Sequence, residues 1–225
     1  MFQYEMHVHS APCSGGGADI EDHIRTLIDK GFSGMVITNH FYRGDTRIDR
    51  ELPWKDFVAQ YRLDYERGKR LADALDFDVL FGIEEHVGKG REVLIYGITP
   101  ELLEQNEVLR AGRVADYVRL VHQAGGLIFQ AHPYRARDYI KEPGPLSELA
   151  ALDGVEVYNA SNTPEENEAA AVLAKKMGLR CIAGSDGHSV KSVGRAGIVA
   201  RERITDNAKL IEILKNGAYE LNIPE

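Results

Sequence analysis

Cysteine is scarce in this chain of 225 residues, which contains only Cys13 and Cys181. Two thiols cannot build the disulfide framework of a small secreted domain, so we expect a reducing, cytoplasmic setting. Long hydrophobic runs are also missing, since no stretch approaches the ~20 apolar residues of a membrane-spanning helix. Residues 1–7 show neither a basic nor an apolar segment, so we expect no secretion signal and no membrane partner.

Positive charge is in deficit along the chain. Lys and Arg number 27 against 35 Asp and Glu, which gives a formal net charge of −8. Proteins that bind long nucleic acids usually show a basic patch or stripe, and no cluster of Lys and Arg stands out here. The charge balance therefore favours a small-molecule substrate over a long polyanion.

Short apolar runs alternate with helical patterns along the sequence. Strand patterns cover residues 2–9, 35–38, 77–83, 93–96, 127–130, 154–158, 180–183 and 197–200, and helical patterns cover 18–30, 54–75, 114–124, 164–177 and 206–216. This alternation indicates a largely parallel sheet, with 93–96 as a hairpin partner of the preceding strand. Reactive residues follow the strands, as in barrels whose chemistry lies at the carboxyl ends of the strands. We predict a single α/β barrel domain over residues 1–225.

Six of the eight histidines lie at or just beyond a predicted strand end: His7, His9, His40, His86, His132 and His188. The period of two in a strand places His7 and His9 on one face, and Asp186 and His188 repeat that spacing. Neutral imidazole is the commonest metal ligand in proteins, so we expect a metal centre. The other two histidines, His23 and His122, are expected to be ordinary, partly exposed helical residues.

Five segments resemble motifs of the PHP (polymerase and histidinol phosphatase) family of metal-dependent phosphoesterases. They are Met6-His7-Val8-His9-Ser10, Ile37-Thr38-Asn39-His40, Phe81-Gly82-Ile83-Glu84, Gln130-Ala131-His132-Pro133 and Gly184-Ser185-Asp186-Gly187-His188. They occur in the order of the family and span nearly the whole chain. The resemblance implies a distorted (β/α)7 TIM-like barrel with two or three divalent ions, of Zn, Mn or Fe, at its mouth.

The resemblance also implies a ligand set. His7, His9, Glu84 and Asp186 would hold one ion, Glu84 would bridge to a second ion that also takes His132, and His40 and His188 would hold a third. A bridging carboxylate suits the ~3.5–4 Å spacing of two-metal hydrolytic sites.

Two positions depart from the family pattern, and His86 is a further candidate at the second of them. Where many relatives carry an acid or histidine after the first pair, this chain has Ser14 beside Cys13, so the third ion is either held more loosely or bound by the Cys13 thiolate. Glu92 stands near a position where relatives often have histidine, and is either an oxygen ligand or an exposed strand carboxylate. His86 is either a further ligand or a polar loop residue.

The implied reaction is hydrolysis of a small phosphate ester by a hydroxide that bridges two ions. Glu84, His188 and Arg135 are the expected catalytic residues, although a metal-bound water competes with His188 as the leaving-group acid. Arg135 and Arg43 each follow a histidine by three residues, and they are either phosphate-orienting cations or exposed loop residues.

Two other functions compete with this one. An amidohydrolase-type enzyme would cleave a C–N or C–O bond with similar metals, but no lysine stands at a predicted barrel strand end, whereas Glu84 offers a bridge. A non-catalytic PHP module would bind without turnover. Among phosphoesterase substrates, histidinol phosphate, nucleotides, short oligonucleotides and phosphotyrosine peptides all stay open.

Overall fold

In the part of the chain that the structure describes, nine strands form one mixed sheet. The structure is a computed structural model that describes residues 1–11 and 17–224. The strands are β1 Phe2–Val8, β2 Gly34–Ile37, β3 Asp78–Gly88, β4 Arg91–Tyr96, β5 Leu127–Gln130, β6 Gly154–Asn159, β7 Arg180–Gly184, β8 Gly197–Ala200 and β9 Tyr219–Asn222. The helices are α1 Ile20–Asp29, α2 Trp54–Asp73, α3 Pro100–Glu104, α4 Val114–Gln123, α5 Pro164–Met177 and α6 Asn207–Asn216. The predicted α/β barrel-like domain is confirmed.

The sheet runs in the order β7-β6-β5-β4-β3-β2-β1-β8-β9. Strands β1 to β3 are parallel to one another, and so are β5 to β7. Strand β4 is antiparallel to both of its neighbours because a tight hairpin, rather than a helix, joins it to β3. The first residues of β4 therefore lie at the same edge of the sheet as the carboxyl ends of the parallel strands.

The two sides of the nearly closed barrel meet along a seam between β1 and β7. The amino-terminal half of β1 pairs with β8, whereas its carboxyl end meets the backbone that follows β7. The amide of Asp186 donates to the carbonyl of His7 at 2.8 Å, and the amide of His9 donates to the carbonyl of Gly187 at 3.0 Å. These bonds bring the first and last site motifs of the chain side by side.

An aromatic cluster beneath the mouth anchors the loop that follows β2. On α2, Trp54, Phe57 and Tyr61 recur at helical spacing and are buried. The ring of Phe41 packs among them, with its centroid 5.6 Å from that of Trp54 and 4.9 Å from that of Tyr61. Because Phe41 directly follows His40, this packing holds His40 at the mouth.

Most predicted element bounds agree with the structure to within a few residues. Strand β3 is longer than its predicted 77–83, because its residues up to Gly88 pair with β4. Helix α3 is not predicted from the sequence, since five residues carry too little periodicity. Within the described residues, no helix combines the length and the apolarity needed to cross a bilayer.

A capping box begins helix α5. The Thr163 hydroxyl accepts from the Glu166 amide at 3.3 Å, and the Glu166 carboxylate accepts from the Thr163 amide at 2.9 Å. We expect Thr163→Ala to lower the free energy of unfolding by about 1 kcal/mol, as measured by urea denaturation. The control Ser147→Ala removes an exposed hydroxyl outside the helices, and should change stability by less than about 0.5 kcal/mol. Equal effects of the two changes would contradict the capping role.

Candidate metal centre

Polar side chains from six strands and their following loops converge at the mouth of the barrel. The converging residues are His7 and His9 at the end of β1, His40 after β2, Glu84 on β3, Glu92 on β4, His132 after β5, and Asp186 and His188 after β7. Every metal-ligand candidate predicted from these motifs therefore lies in one cluster. Glu92 joins it because β4 runs antiparallel and begins at the mouth.

Glu84 stands at the middle of the cluster and is buried. Its Oε1 lies 3.1 Å from His7 Nε2 and 3.1 Å from His132 Nε2. Its Oε2 lies 2.9 Å from His40 Nδ1 and 3.4 Å from His9 Nε2. Each carboxylate oxygen thus faces a different pair of imidazoles, which is the arrangement that a bridging ligand needs.

The donor set fits divalent cations. Three overlapping groups of side chains could each hold an ion, because within each group the ligand atoms lie within 4.8 Å of one another. The groups are His7, His9 and Glu84; His9, His40 and His188; and His40, Glu84 and Glu92. Within the described part of the chain, His7 Nε2, His9 Nε2 and His40 Nδ1 are buried without a hydrogen-bond partner. Buried polar atoms are normally satisfied, so orphaned imidazole nitrogens aimed at carboxylates are typical of a metal centre.

The pair after β7 completes the cluster. Asp186 Oδ1 lies 3.2 Å from His9 Nε2, and the His188 ring stacks on the His9 ring with centroids 4.3 Å apart. His188 Nδ1 lies 3.2 Å from the carbonyl oxygen of Asp186. A carbonyl can only accept, so Nδ1 carries the proton and Nε2 keeps its lone pair. This tautomer favours a ligand role for His188 over that of a leaving-group acid.

The pKa values of neighbouring ionisable groups in this buried cluster are displaced in opposite directions. Burial alone would lower the pKa of His7, but the carboxylates of Glu156 and Glu84 outweigh it and raise the pKa well above its ordinary value. Burial and a neighbouring imidazole lower the pKa of His9 well below its ordinary value. Burial, reinforced by Glu84, raises the pKa of Glu92 to about 8. Such perturbed groups in a cleft are typical of functional sites.

Two cluster residues have a left-handed backbone, which is rare outside glycine. His132 has φ of 25° and Asp186 has φ of 52°. Conformations of this kind persist only when the surroundings hold them, and they concentrate at functional sites. The amide of His132 donates to Glu156 at 3.0 Å, and that of Asp186 donates to the carbonyl of His7.

Both predicted cations line a cavity of about 450 Å³ that opens above the cluster. Arg135 is buried, and its Nη2 lies 2.6 Å from Asp186 Oδ2 and 2.8 Å from Asn159 Oδ1. Arg43 Nη1 donates to the backbone carbonyl of Ala111 at 3.0 Å. The structure thus places both arginines beside the cluster, with Arg135 already paired to one of the expected ligands.

The remaining candidates differ in their surroundings. His86 lines the cavity, but its Nε2 accepts from the Gly90 amide at 3.0 Å, so that nitrogen stabilises the β3–β4 hairpin. Cys13 and Ser14 lie outside the described residues, and the prediction for Cys13 stays a prediction. His122 is a surface residue of α4 that pairs with Asp153 at 2.8 Å.

The expectation for His23 is wrong, since this residue is fully buried. Its Nε2 lies 3.0 Å from the backbone carbonyl of His9, which can only accept, so His23 donates this bond. The bond fixes the backbone of His9. His23 lies with Ile20, Ile24 and Leu27 on the buried face of α1, and this i, i+3, i+4, i+7 spacing is the signal that identifies it as interior.

Two buried carboxylates of the site are absent from the sequence-based candidates. Glu5 accepts from the amides of Ser185 and Gly194 at 2.9 and 3.0 Å, across the seam. Glu156 lies 2.8 Å from His7 Nδ1. Each is an acid inside an apolar strand. Glu5 stands two residues before His7, and Glu156 stands within β6. That pattern is the available signal, because a charge inside a barrel strand has to be paired.

Residues 164–219, which include Asp186 and His188, match the family model described as PHP-associated. Together with the barrel and the five motifs, this match supports a PHP domain.

Several solved structures share this PHP fold at low identity. A two-domain protein from Bacteroides vulgatus, described as containing a predicted PHP-like metal-dependent phosphoesterase, has a TM-score of 0.71 at 17% identity, over 99% of this chain and 64% of that one. An amidohydrolase from Chromobacterium violaceum has a TM-score of 0.59 at 17% identity, over 85% and 90%. A lesion-specific endonuclease from Pyrococcus furiosus has a TM-score of 0.60 at 12% identity, over 98% and 57%.

The chain spans 64% of the length of the Bacteroides vulgatus protein and 57% of that of the Pyrococcus furiosus protein. Among curated proteins, none matches it significantly.

Proposed function

We propose that this PHP protein is a metal-dependent phosphoesterase that hydrolyses small phosphate esters, with residues 1–225 acting as one hydrolase domain. The observation that carries the proposal is Glu84, whose two oxygens face four imidazoles from three different parts of the barrel. Of the proteins with the same fold, that of Bacteroides vulgatus is described as containing a predicted PHP-like metal-dependent phosphoesterase, and that of Pyrococcus furiosus as a lesion-specific endonuclease. Both descriptions support the substrate class.

In this proposal the cluster residues hold two or three divalent ions. His7, His9 and Asp186 would hold one ion, Glu84 would be shared with a second that His132 and Glu92 complete, and His40 and His188 would hold a third; the proximity of these side chains supports this assignment. When bound, the ions would supply Lewis acidity that acidifies a water and neutralises charge on the phosphate oxygens.

The arginines orient the phosphate of the substrate. A guanidinium donates through a planar fork that matches phosphate oxygens, and both Arg43 and Arg135 line the cavity. Arg135 is held in place by Asn162 at Nε and by Asn159 at Nη2, each at 2.8 Å. Such fixed donors do not have to reorganise as charge develops in the transition state.

An amidohydrolase activity is the second candidate, because the Chromobacterium violaceum neighbour carries that name. The chain's own residues favour the phosphoesterase. Glu84 stands where a bridging ligand is needed, and the cavity is lined by two arginines. Amide hydrolysis does not need two guanidinium groups beside the reacting centre, whereas binding of a phosphate dianion uses both.

The test combines elemental analysis with turnover of p-nitrophenyl phosphate in the wild type and in His9→Ala. We expect two or three equivalents of Zn, Mn or Fe in the wild type, and loss of both metal and turnover in the variant, because His9 belongs to two of the three ligand groups. Metal-replete protein that cleaves p-nitroacetanilide but neither phosphate monoesters nor bis-p-nitrophenyl phosphate would favour the amidohydrolase. Protein that stays metal-free after reconstitution would contradict both.

A further inference from the structure

Glu156 lies directly beneath the metal centre, on β6, and is almost completely buried. Its Oε1 lies 2.8 Å from His7 Nδ1. Its Oε2 accepts from the His132 amide at 3.0 Å and from Asn159 Nδ2 at 2.9 Å. One carboxylate thus contacts two of the proposed ligands and the side chain that holds Arg135.

The contact with His7 decides which ring nitrogen is available to an ion. An ionised carboxylate has only acceptor sites, so His7 Nδ1 carries the proton of this bond. The lone pair of a neutral His7 is then on Nε2, which points at Glu84 and has no hydrogen-bond partner among the described residues. Glu156 therefore selects the imidazole tautomer that can bind a cation.

We propose that Glu156 is a positioning residue that sets the metal affinity of the centre by holding the His7 ring in its Nδ1–H tautomer. The proposal rests on the proposed function, since it takes His7 as a metal ligand. The same carboxylate fixes the backbone of His132, so its contacts orient two ligands from opposite sides of the barrel.

The isosteric change Glu156→Gln tests this tautomer selection. The two donors at Oε2, a backbone amide and the Asn159 side-chain amide, require an acceptor there. The new carboxamide would therefore turn its oxygen toward them and its NH2 toward His7 Nδ1. His7 Nδ1 would become an acceptor, and the ring proton would move to Nε2, where it blocks the cation.

We expect Glu156→Gln to weaken zinc binding by about 10–100-fold in a chelator competition assay, the range found for groups that orient a metal ligand. Glu85→Gln is the matched control. Glu85 is also fully buried, but it accepts from Tyr117 Oη and the Arg43 amide, and among the described residues it has no hydrogen bond or ion pair with an imidazole. The control variant should bind zinc with wild-type affinity, which separates loss of a buried carboxylate from loss of the tautomer.

A measurement on the wild type makes the test independent of how the variant folds. In the zinc-loaded, ¹⁵N-labelled protein, long-range ¹H–¹⁵N correlation should place the ring proton of His7 on Nδ1. A ring proton on Nε2, or a folded Glu156→Gln protein with wild-type zinc affinity, would overturn the proposal. Wild-type protein that binds no zinc, manganese or iron would instead overturn the proposed function.

Discussion

Replacing Glu84 by glutamine is expected to remove most of the metal content of the cluster. The Glu84 oxygens face the imidazoles of His7, His9, His40 and His132. Loss of the negative charge of Glu84 therefore weakens every group of ligands that includes this carboxylate. We expect no more than one zinc equivalent to remain, as measured by elemental analysis. Phosphatase kcat/KM should fall by more than about 100-fold, since even groups that only orient a ligand account for 10–100-fold.

Two histidine variants serve as comparisons for the metal content expected of Glu84→Gln. His188→Ala removes a member of only one ligand group, so it should lose a single equivalent. His122→Ala removes a surface imidazole that pairs with Asp153, and should keep wild-type metal content. If Glu84→Gln bound as much zinc as His122→Ala, the bridging role of Glu84 would be wrong.

Replacing Arg135 by methionine is expected to lower the free energy of unfolding of the metal-free protein by about 3–5 kcal/mol, because it leaves a buried carboxylate without its partner. Arg135 Nη2 lies 2.6 Å from Asp186 Oδ2, and both side chains are less than a tenth exposed. Burial would raise the pKa of Asp186, but His7 and Arg135 outweigh it and lower the pKa well below its ordinary value. The variant's Tm should fall by roughly 10 °C for a chain of this size.

The matched control is Arg137→Met. Arg137 pairs with Glu166 at 2.7 Å, but its side chain is 36% exposed, and exposed pairs contribute only about 0–1 kcal/mol. Glu166 also keeps its bonds from the amides of Ala136 and Thr163. Zinc should narrow the Tm difference between Arg135→Met and the wild type, because a cation beside Asp186 compensates its charge. Equal losses of Tm in the two arginine variants would show that the buried Arg135–Asp186 pair stabilises the protein no more than the exposed Arg137–Glu166 pair.

Much of the fold follows from local patterns in the sequence. The apolar run at 127–130 and the helical pattern at 164–177 agree residue for residue with β5 and α5, because each is bounded by residues that stop or start an element. The antiparallel pairing of β4 is also predictable, since Val87-Gly88-Lys89-Gly90 leaves room for nothing but a hairpin. The seam is not predictable, because it depends on backbone bonds between residues about 180 positions apart.

The residues of the site also divide into those that the sequence predicts and those that it does not. His7, His40 and Asp186 could be named from the sequence, since each follows a strand end and barrel strands share one reactive edge. Glu156 could not, because its role comes from what lies beside it after folding: a ring nitrogen from β1 and an amide from the loop after β5. Arg135 was expected at the phosphate, and the structure adds its pairing to Asp186.

The seam between β1 and β7 carries a consequence for how the barrel opens. Within residues 1–11 and 17–224, β1 and the backbone that follows β7 meet here through a single backbone bridge, Val8 to Gly187, and the bonds around it. Regions with few such bonds open at the lowest free energy and exchange their amide hydrogens first. The seam runs between His9 and Asp186. Local opening there therefore separates Asp186 and His188 from His7 and His9. Solvent exchange at the Asp186 amide is therefore a direct measure of whether the centre is assembled.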